Sequence, residues 1–254
     1  MADLIGQVAV VTGASSGVGR AAAVAWARAG AHVVAAARNL EALRELSEEI
    51  ASFGGEARPV RCDVSVLDDV SELRNIATAA GPVSLLLNCA GVPGAYASLL
   101  ETPLEVWQRT IDVNLTGTFN CCQAFLPTMM AARHGNIINV ASSDRALPLR
   151  SAYHTTKFGI IALTQALAEE VREYGISVNA IRFGIPVDTP LAREVNGDRT
   201  DYENWQSPED TTEVLTYLAL QRGAYVTGGY INVYEWTRQL RGALGHAATP
   251  PPVR

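Results

Sequence analysis

Short, unbroken apolar runs alternate along this chain with longer stretches whose apolar residues fall every third or fourth position, and the two patterns predict different elements. Residues 8–11, V-A-V-V, form the first run; with no polar residue interleaved, it suits a strand covered on both faces of a parallel sheet. Residues 21–30 read as a helix closed by glycine, and residues 33–37 as the second strand. From Asn39 onward, Leu40, Leu43, Leu46, Ile50 and Phe53 share one helical stripe, which Gly54 and Gly55 stop. Residues 60–62 predict a third strand; Ser65-Val66-Leu67-Asp68 has the form of a capping box, opening a helix that runs to Gly81-Pro82. Residues 83–87 form the fourth strand. Thr102-Pro103-Leu104-Glu105 combines a cap, a first-turn proline and a third-position acid, so a long helix is expected from there to just before Gly135. Residues 137–140 give the fifth strand, a helix follows up to Tyr174-Gly175, and residues 178–181 give the sixth. Ser207-Pro208-Glu209-Asp210 caps a further helix, and residues 230–233 read as a seventh strand. Regular strand and helix alternation predicts an α/β fold, a doubly wound parallel sheet of about seven strands with helices on both faces. One domain is expected over residues 1–237, with 238–254, rich in Ala, Gly and Pro, as a loosely ordered C-terminal tail.

Composition narrows the partners. A net charge of -6 without any basic run makes nucleic acid and anionic membrane poor candidates, and a small molecule the better one. No apolar stretch reaches spanning length and no charged, then apolar leader opens the chain, so a cytoplasmic protein is expected. Cys62, Cys89, Cys121 and Cys122 lack metal-like spacing and read as buried free thiols, with no metal site expected.

Two stretches carry chemistry. In T-G-A-S-S-G-V-G, residues 12–19, Gly13, Gly17 and Gly19 fall between the first strand and the first helix, where backbone N–H groups form an anion site and side chains would block a pyrophosphate. The second stretch is S-A-Y-H-T-T-K-F-G, residues 151–159. The chain holds nineteen arginines and a single lysine, Lys157, four residues after Tyr153. Such a pair is often an ordinary surface pair, but an arginine-rich chain would supply a surface cation as arginine; a compact ammonium kept here points to a need that a planar guanidinium cannot meet. On a helix the two side chains share one face, and the cation favours the phenolate form, as a tyrosine acid/base requires.

With these residues in place, the chain resembles the short-chain dehydrogenase/reductase family over residues 7–233. Residues 12–19 resemble the family's pyrophosphate loop, with Gly13, Ser15, Ser16, Gly17, Val18 and Gly19 as its contacts; Cys62-Asp63-Val64 resembles the third-strand end, where the aspartate accepts from the adenine amino group. N-C-A-G, residues 88–91, resembles the family's N-N-A-G, with Cys89 in place of the second asparagine. The resemblance therefore implies a Rossmann-like fold and cofactor contacts from Asp63, Val64, Asn88, Ala90, Gly91, Tyr153, Lys157, Gly184 and Thr189. It implies a catalytic set of Asn114, Ser142, Tyr153 and Lys157. Ser142 aligns from the strand side, and Ser143 competes for the same role beside an unexpected acid, Asp144. Family habit implies a homodimer or homotetramer.

The second strand ends in Ala36-Ala37-Arg38 with no acid in reach, and an arginine there accommodates the 2′-phosphate of NADP where an acid would take the ribose of NAD. NADPH is therefore the expected cofactor, with Arg38 helped by Ser15 or Ser16. The expected activity is hydride transfer between NADP(H) and the carbonyl or alcohol group of a compact, largely apolar cyclic or aromatic ketone. Val92, Tyr96, Leu147, Leu149, Phe183, Ile185 and Val187 would form its wall, with Asp144, Arg145 and Arg150 as polar exceptions. The segment 191–206 is too short to enclose a long acyl chain. The alternative is a non-catalytic NADP-binding regulatory protein that keeps the fold; the altered serine loop keeps it open, while Phe183-Gly184 in place of the usual Pro-Gly bears on substrate and oligomer.

Overall fold

The computed structural model describes residues 4–142, 145–197, 201–221, 223 and 225–243. Among them, seven strands form one sheet: β1 (Val8–Thr12), β2 (His32–Ala37), β3 (Glu56–Arg61), β4 (Val83–Asn88), β5 (Gly135–Val140), β6 (Ile176–Arg182) and β7 (Tyr230–Asn232). They run parallel in the order β3-β2-β1-β4-β5-β6-β7. The crossovers carry α1 (Gly17–Arg28), α2 (Leu40–Ser52), α3 (Leu67–Ala80), α4 (Leu104–Ile111), α5 (Gly117–Ala132), α6 (Ser151–Val171), α7 (Pro190–Asn196) and α8 (Thr212–Ala219); α9 (Val233–Ala243) follows β7.

The unbroken apolar strands have a physical reason. Successive side chains of a strand point to opposite faces, and here each face has its own core. Ala9, Val11, Val33, Ala35, Leu85 and Leu87 pack on one side with Trp26 of α1, Leu43 of α2 and Leu215 of α8. Val8, Val10, Val34 and Leu86 pack on the other with Leu73 of α3, Phe125 of α5 and Leu167 of α6. Strand order reverses between β1 and β4, which opens a crevice beyond their carboxyl ends, the usual ligand position in such sheets.

Local boundaries depart from the sequence reading in instructive places. β3 starts at Glu56 and stops at Arg61, short of Cys62: it is the edge strand, its burial alternates, and its polar half carries no apolar signal. Helix α1 begins at Gly17, inside the glycine loop. The capping box at Ser65 does not form; α3 starts at Leu67 without a side-chain cap, and Ser65 turns back to donate to Asp63. Thr102 is likewise no cap, its hydroxyl donating to Ser98 O instead. The long helix expected up to Gly135 is interrupted by a π-helical segment, Asp112–Thr116, which holds Asn114. At Gly117, just after it, a Cβ would strike the Val64 side chain, so glycine lets α5 close on the end of β3. β7 ends at Asn232, and Val233 already begins α9. This helix carries residues 238–243 into regular structure, contrary to a tail starting at 238, because Trp236 and Leu240 pack on the core and Arg241 pairs with Glu213 at 2.9 Å. Residues 244–254 lie outside the described residues.

Candidate active site

A cleft of about 1110 Å³ opens at the carboxyl ends of the strands. Its base is the loop leaving β1. Gly13 sits at φ 68°, and a Cβ there would lie 2.8 Å from Ala90 N; a Cβ on Gly19 would strike the Gly13 carbonyl oxygen. The loop, the end of β4 and the start of α1 therefore meet backbone to backbone. Ser16 precedes α1 without a side-chain capping bond, which leaves the first N–H groups of that helix to a ligand. Gly13, Ser15, Ser16, Gly17 and Val18 line the cleft, as do Ala90, Gly91, Gly184 and Thr189. Gly19 is buried behind the wall. Asn88 is also buried and does not line the cleft; its Nδ2 donates to Asn139 Oδ1 at 2.9 Å.

At the end of β2, Arg38 is exposed on the cleft wall with no acidic partner among the described residues. An unpaired guanidinium near an open helix N-terminus suits a phosphate-bearing ligand. Asp63 and Val64 line the same end. Burial pushes the Asp63 carboxyl up, but hydrogen bonds from Ser65 and the ion pair with Arg109 at 2.7 Å outweigh it and hold it down at about 2. Because the folded value is depressed, the stabilisation is complete above the unfolded value of about 3.9 and is lost as pH falls toward 2. Arg109→Met should therefore lower the thermal midpoint at neutral pH, where the pair is fully formed, and change it far less near pH 2, where Asp63 is protonated, both read by circular dichroism.

The catalytic candidates converge at the other end. Helix α6 places Tyr153 and Lys157 one turn apart on the cleft wall, with the ammonium 5.6 Å from the centre of the phenol ring. Lys157 is only 5% exposed, and its Nζ donates to Val140 O at 2.7 Å. That leaves two of its three donors for a ligand. Ser142 continues β5 into the cleft, and its carbonyl accepts from the Tyr230 hydroxyl. Ser143 and Asp144 lie outside the described residues. Asn114 sits just behind the wall, fully buried: its Oδ1 accepts from Val92 N at 2.8 Å, and its Nδ2 donates to Val92 O at 3.0 Å and Thr156 Oγ1 at 3.2 Å. The side chain ties the loop after β4 to α6.

Other contributors escaped the sequence reading. Thr12 Oγ1 accepts from Cys89 N at 3.1 Å and Ala90 N at 3.2 Å and so sets the height of that loop; its place at the head of the glycine motif was a usable signal. Arg109 is 46 residues from Asp63, and no spacing rule connects them. His154 also lines the cleft, beside Arg150, which is in place as one of the polar exceptions expected there. Of the expected apolar wall, Val92, Leu147, Phe183, Ile185 and Val187 are in place, joined by Trp205, whereas Tyr96 and Leu149 are not part of it. Tyr96 is 66% exposed. Cys89 is a partly buried free thiol; burial pushes it up to about 11. Among the described residues no group of His, Cys, Asp and Glu stands ready to hold a metal, and no helix is long and apolar enough to cross a membrane.

The short-chain dehydrogenase family model matches residues 7–200, which includes every catalytic candidate. The chain belongs to the short-chain dehydrogenase/reductase family. Among relatives, a 3-oxoacyl-(acyl-carrier-protein) reductase of Thermotoga maritima is 32% identical over 91% of this chain and 97% of its own length. A cyclohexanol dehydrogenase of Acinetobacter is 32% identical over 87% of this chain and 91% of its own. Among solved structures, actinorhodin polyketide ketoreductase with NADPH superposes with a TM-score of 0.83 at 32% identity, covering 89% of this chain and 95% of that one. Like other members of this oxidoreductase family, the chain has the fold for acting on CH–OH and C=O groups.

Proposed function

We propose that this short-chain dehydrogenase/reductase is an NADP-dependent carbonyl reductase acting on a compact ketone with a largely apolar, cyclic or aromatic body. The observation that carries the reading is the buried Lys157, the one lysine of the chain, held against Tyr153 at the meeting point of the glycine loop, β5 and α6. When bound, the reduced dinucleotide supplies the hydride. The glycine loop with the open N-terminus of α1 would hold its pyrophosphate, Arg38 with Ser15 or Ser16 its 2′-phosphate, and Asp63 with Val64 its adenine.

The chain's own residues handle the proton. Tyr153 donates its phenolic proton to the carbonyl oxygen, and Ser142 donates a hydrogen bond to the same oxygen. Lys157 sets a positive charge beside the phenol, which stabilises the phenolate left behind. Asn114 keeps the loop after β4 in register with α6; its Oδ1 and the Lys157 ammonium both border the space beside Gly91, where a water returning the proton would be held.

Support for the substrate body comes from Val92, Leu147, Phe183, Ile185, Val187 and Trp205 on the cleft wall. NADPH consumption with a panel of ketones tests the assignment. Cyclic and aromatic ketones should be reduced in preference to long-chain acyl ketones, and the reverse order would contradict it. For the cofactor, Arg38→Ala should cut the preference for NADPH over NADH by roughly tenfold or more, because a charge-assisted pair to the phosphate is lost. An unchanged ratio of the two affinities would remove Arg38 from that role.

A further inference from the structure

Tyr153 is flanked by two polar groups for which the chemistry above has no use. Arg150 lays its guanidinium carbon 4.5 Å from the centre of the Tyr153 ring, and His154 meets the same ring edge-on with centroids 5.5 Å apart. Positions 150 and 154 stand one turn apart at the start of α6, so their side chains neighbour one another, and both line the cleft. Neither side chain has a hydrogen-bond or ionic partner among the described residues. Arg150 is half-buried and has no acidic partner among the described residues. His154 is 4% exposed, yet neither of its ring nitrogens has a hydrogen-bond partner. Buried polar groups are almost always paired, and an unpaired one in a cleft wall marks a place where a ligand completes the pairing. Burial, reinforced by the Arg150 charge, holds His154 below its usual 6.5, so the imidazole meets a ligand as a neutral donor while Arg150 brings the charge. Arg150 also precedes α6 without a side-chain cap, so the open N-terminus of a 21-residue helix adds to the positive field there.

We propose that Arg150 and His154 form a carboxylate site, and that the ketone reduced here carries a carboxylate on its apolar body. This rests on Tyr153 being the proton donor, because the two side chains fix the carboxylate beside it. A guanidinium fork with one further N–H donor matches the planar, two-oxygen geometry of a carboxylate.

Isothermal titration of the full chain with benzoate and with benzamide tests the site without turnover, since the two probes share a shape and differ in charge. Benzoate is expected to bind at least about tenfold more tightly. Arg150→Met should erase that advantage, and Arg38→Met, at the far end of the cleft, should keep it. Equal binding of the two probes by the unaltered protein, or a benzoate advantage that survives Arg150→Met, would overturn the proposal. Selection of benzoate through Arg150 in a protein that reduces no ketone would support the carboxylate site while refuting the carbonyl reductase.

Discussion

Tyr153→Phe is expected to lower kcat by about a thousandfold or more while leaving the affinity for NADPH within about twofold, because general-acid catalysis contributes roughly 10²–10⁴ and the phenol is the acid that supplies the proton. The substitution removes one oxygen from a side chain that otherwise packs between the Arg150 guanidinium and the His154 ring. Folding should be untouched. Ketone-dependent NADPH consumption, with NADPH binding followed separately by fluorescence titration, reads the two effects apart. A phenylalanine variant that still turns over would remove Tyr153 from the reaction, and loss of NADPH binding along with turnover would make its role one of binding.

Lys157→Arg is expected to be nearly as damaging, at roughly a hundredfold or more, although the charge is kept. The ammonium is buried, donates to Val140 O at 2.7 Å, and lies 4.0 Å from where a Cβ on Gly91 would stand. A guanidinium is wide and planar; to fit it must give up the Val140 bond or displace the backbone after β4. Its charge would then move away from the phenol and its donors away from the cofactor. The loss should fall on kcat as well as on NADPH affinity, whereas a purely cofactor-binding lysine would show its loss in affinity alone. Full activity of the arginine variant would show that charge, and not the shape of the ammonium, is what position 157 supplies.

How far these residues were legible in the sequence depends on how local their causes are. Strand and helix alternation was legible because the interior strands are buried on both faces and are largely apolar, broken in β5 and β6 by buried polar residues such as Asn139 and Asn179; the edge strand β3, with Pro59 and alternating exposure, showed only its last buried residues. The Ser65 capping box failed for a non-local reason. Asp69 in the first turn of α3 accepts from Asp63 N at 2.8 Å, and Ser65 is drawn into the Asp63–Arg109 group instead. The π-helical turn at Asn114 is followed at once by Gly117, which meets Val64 across the fold, and helical periodicity records neither. Most of the site came through because the glycine loop and the Tyr153–Lys157 pair are each short-range motifs. Arg150 and His154 flank Tyr153 in sequence, but their lack of partners is visible only once the fold surrounds them.

The central claim, that this cleft reduces a carbonyl with Tyr153 as the acid, is tested most directly by supplying NADPH deuterated at the transferable position together with a compact aromatic ketone. One alcohol should form per NADPH consumed, with the deuterium on its carbinol carbon, and Tyr153→Phe should form none. NADPH that binds but is never consumed with any ketone, or consumption without deuterium in an alcohol, would contradict the account.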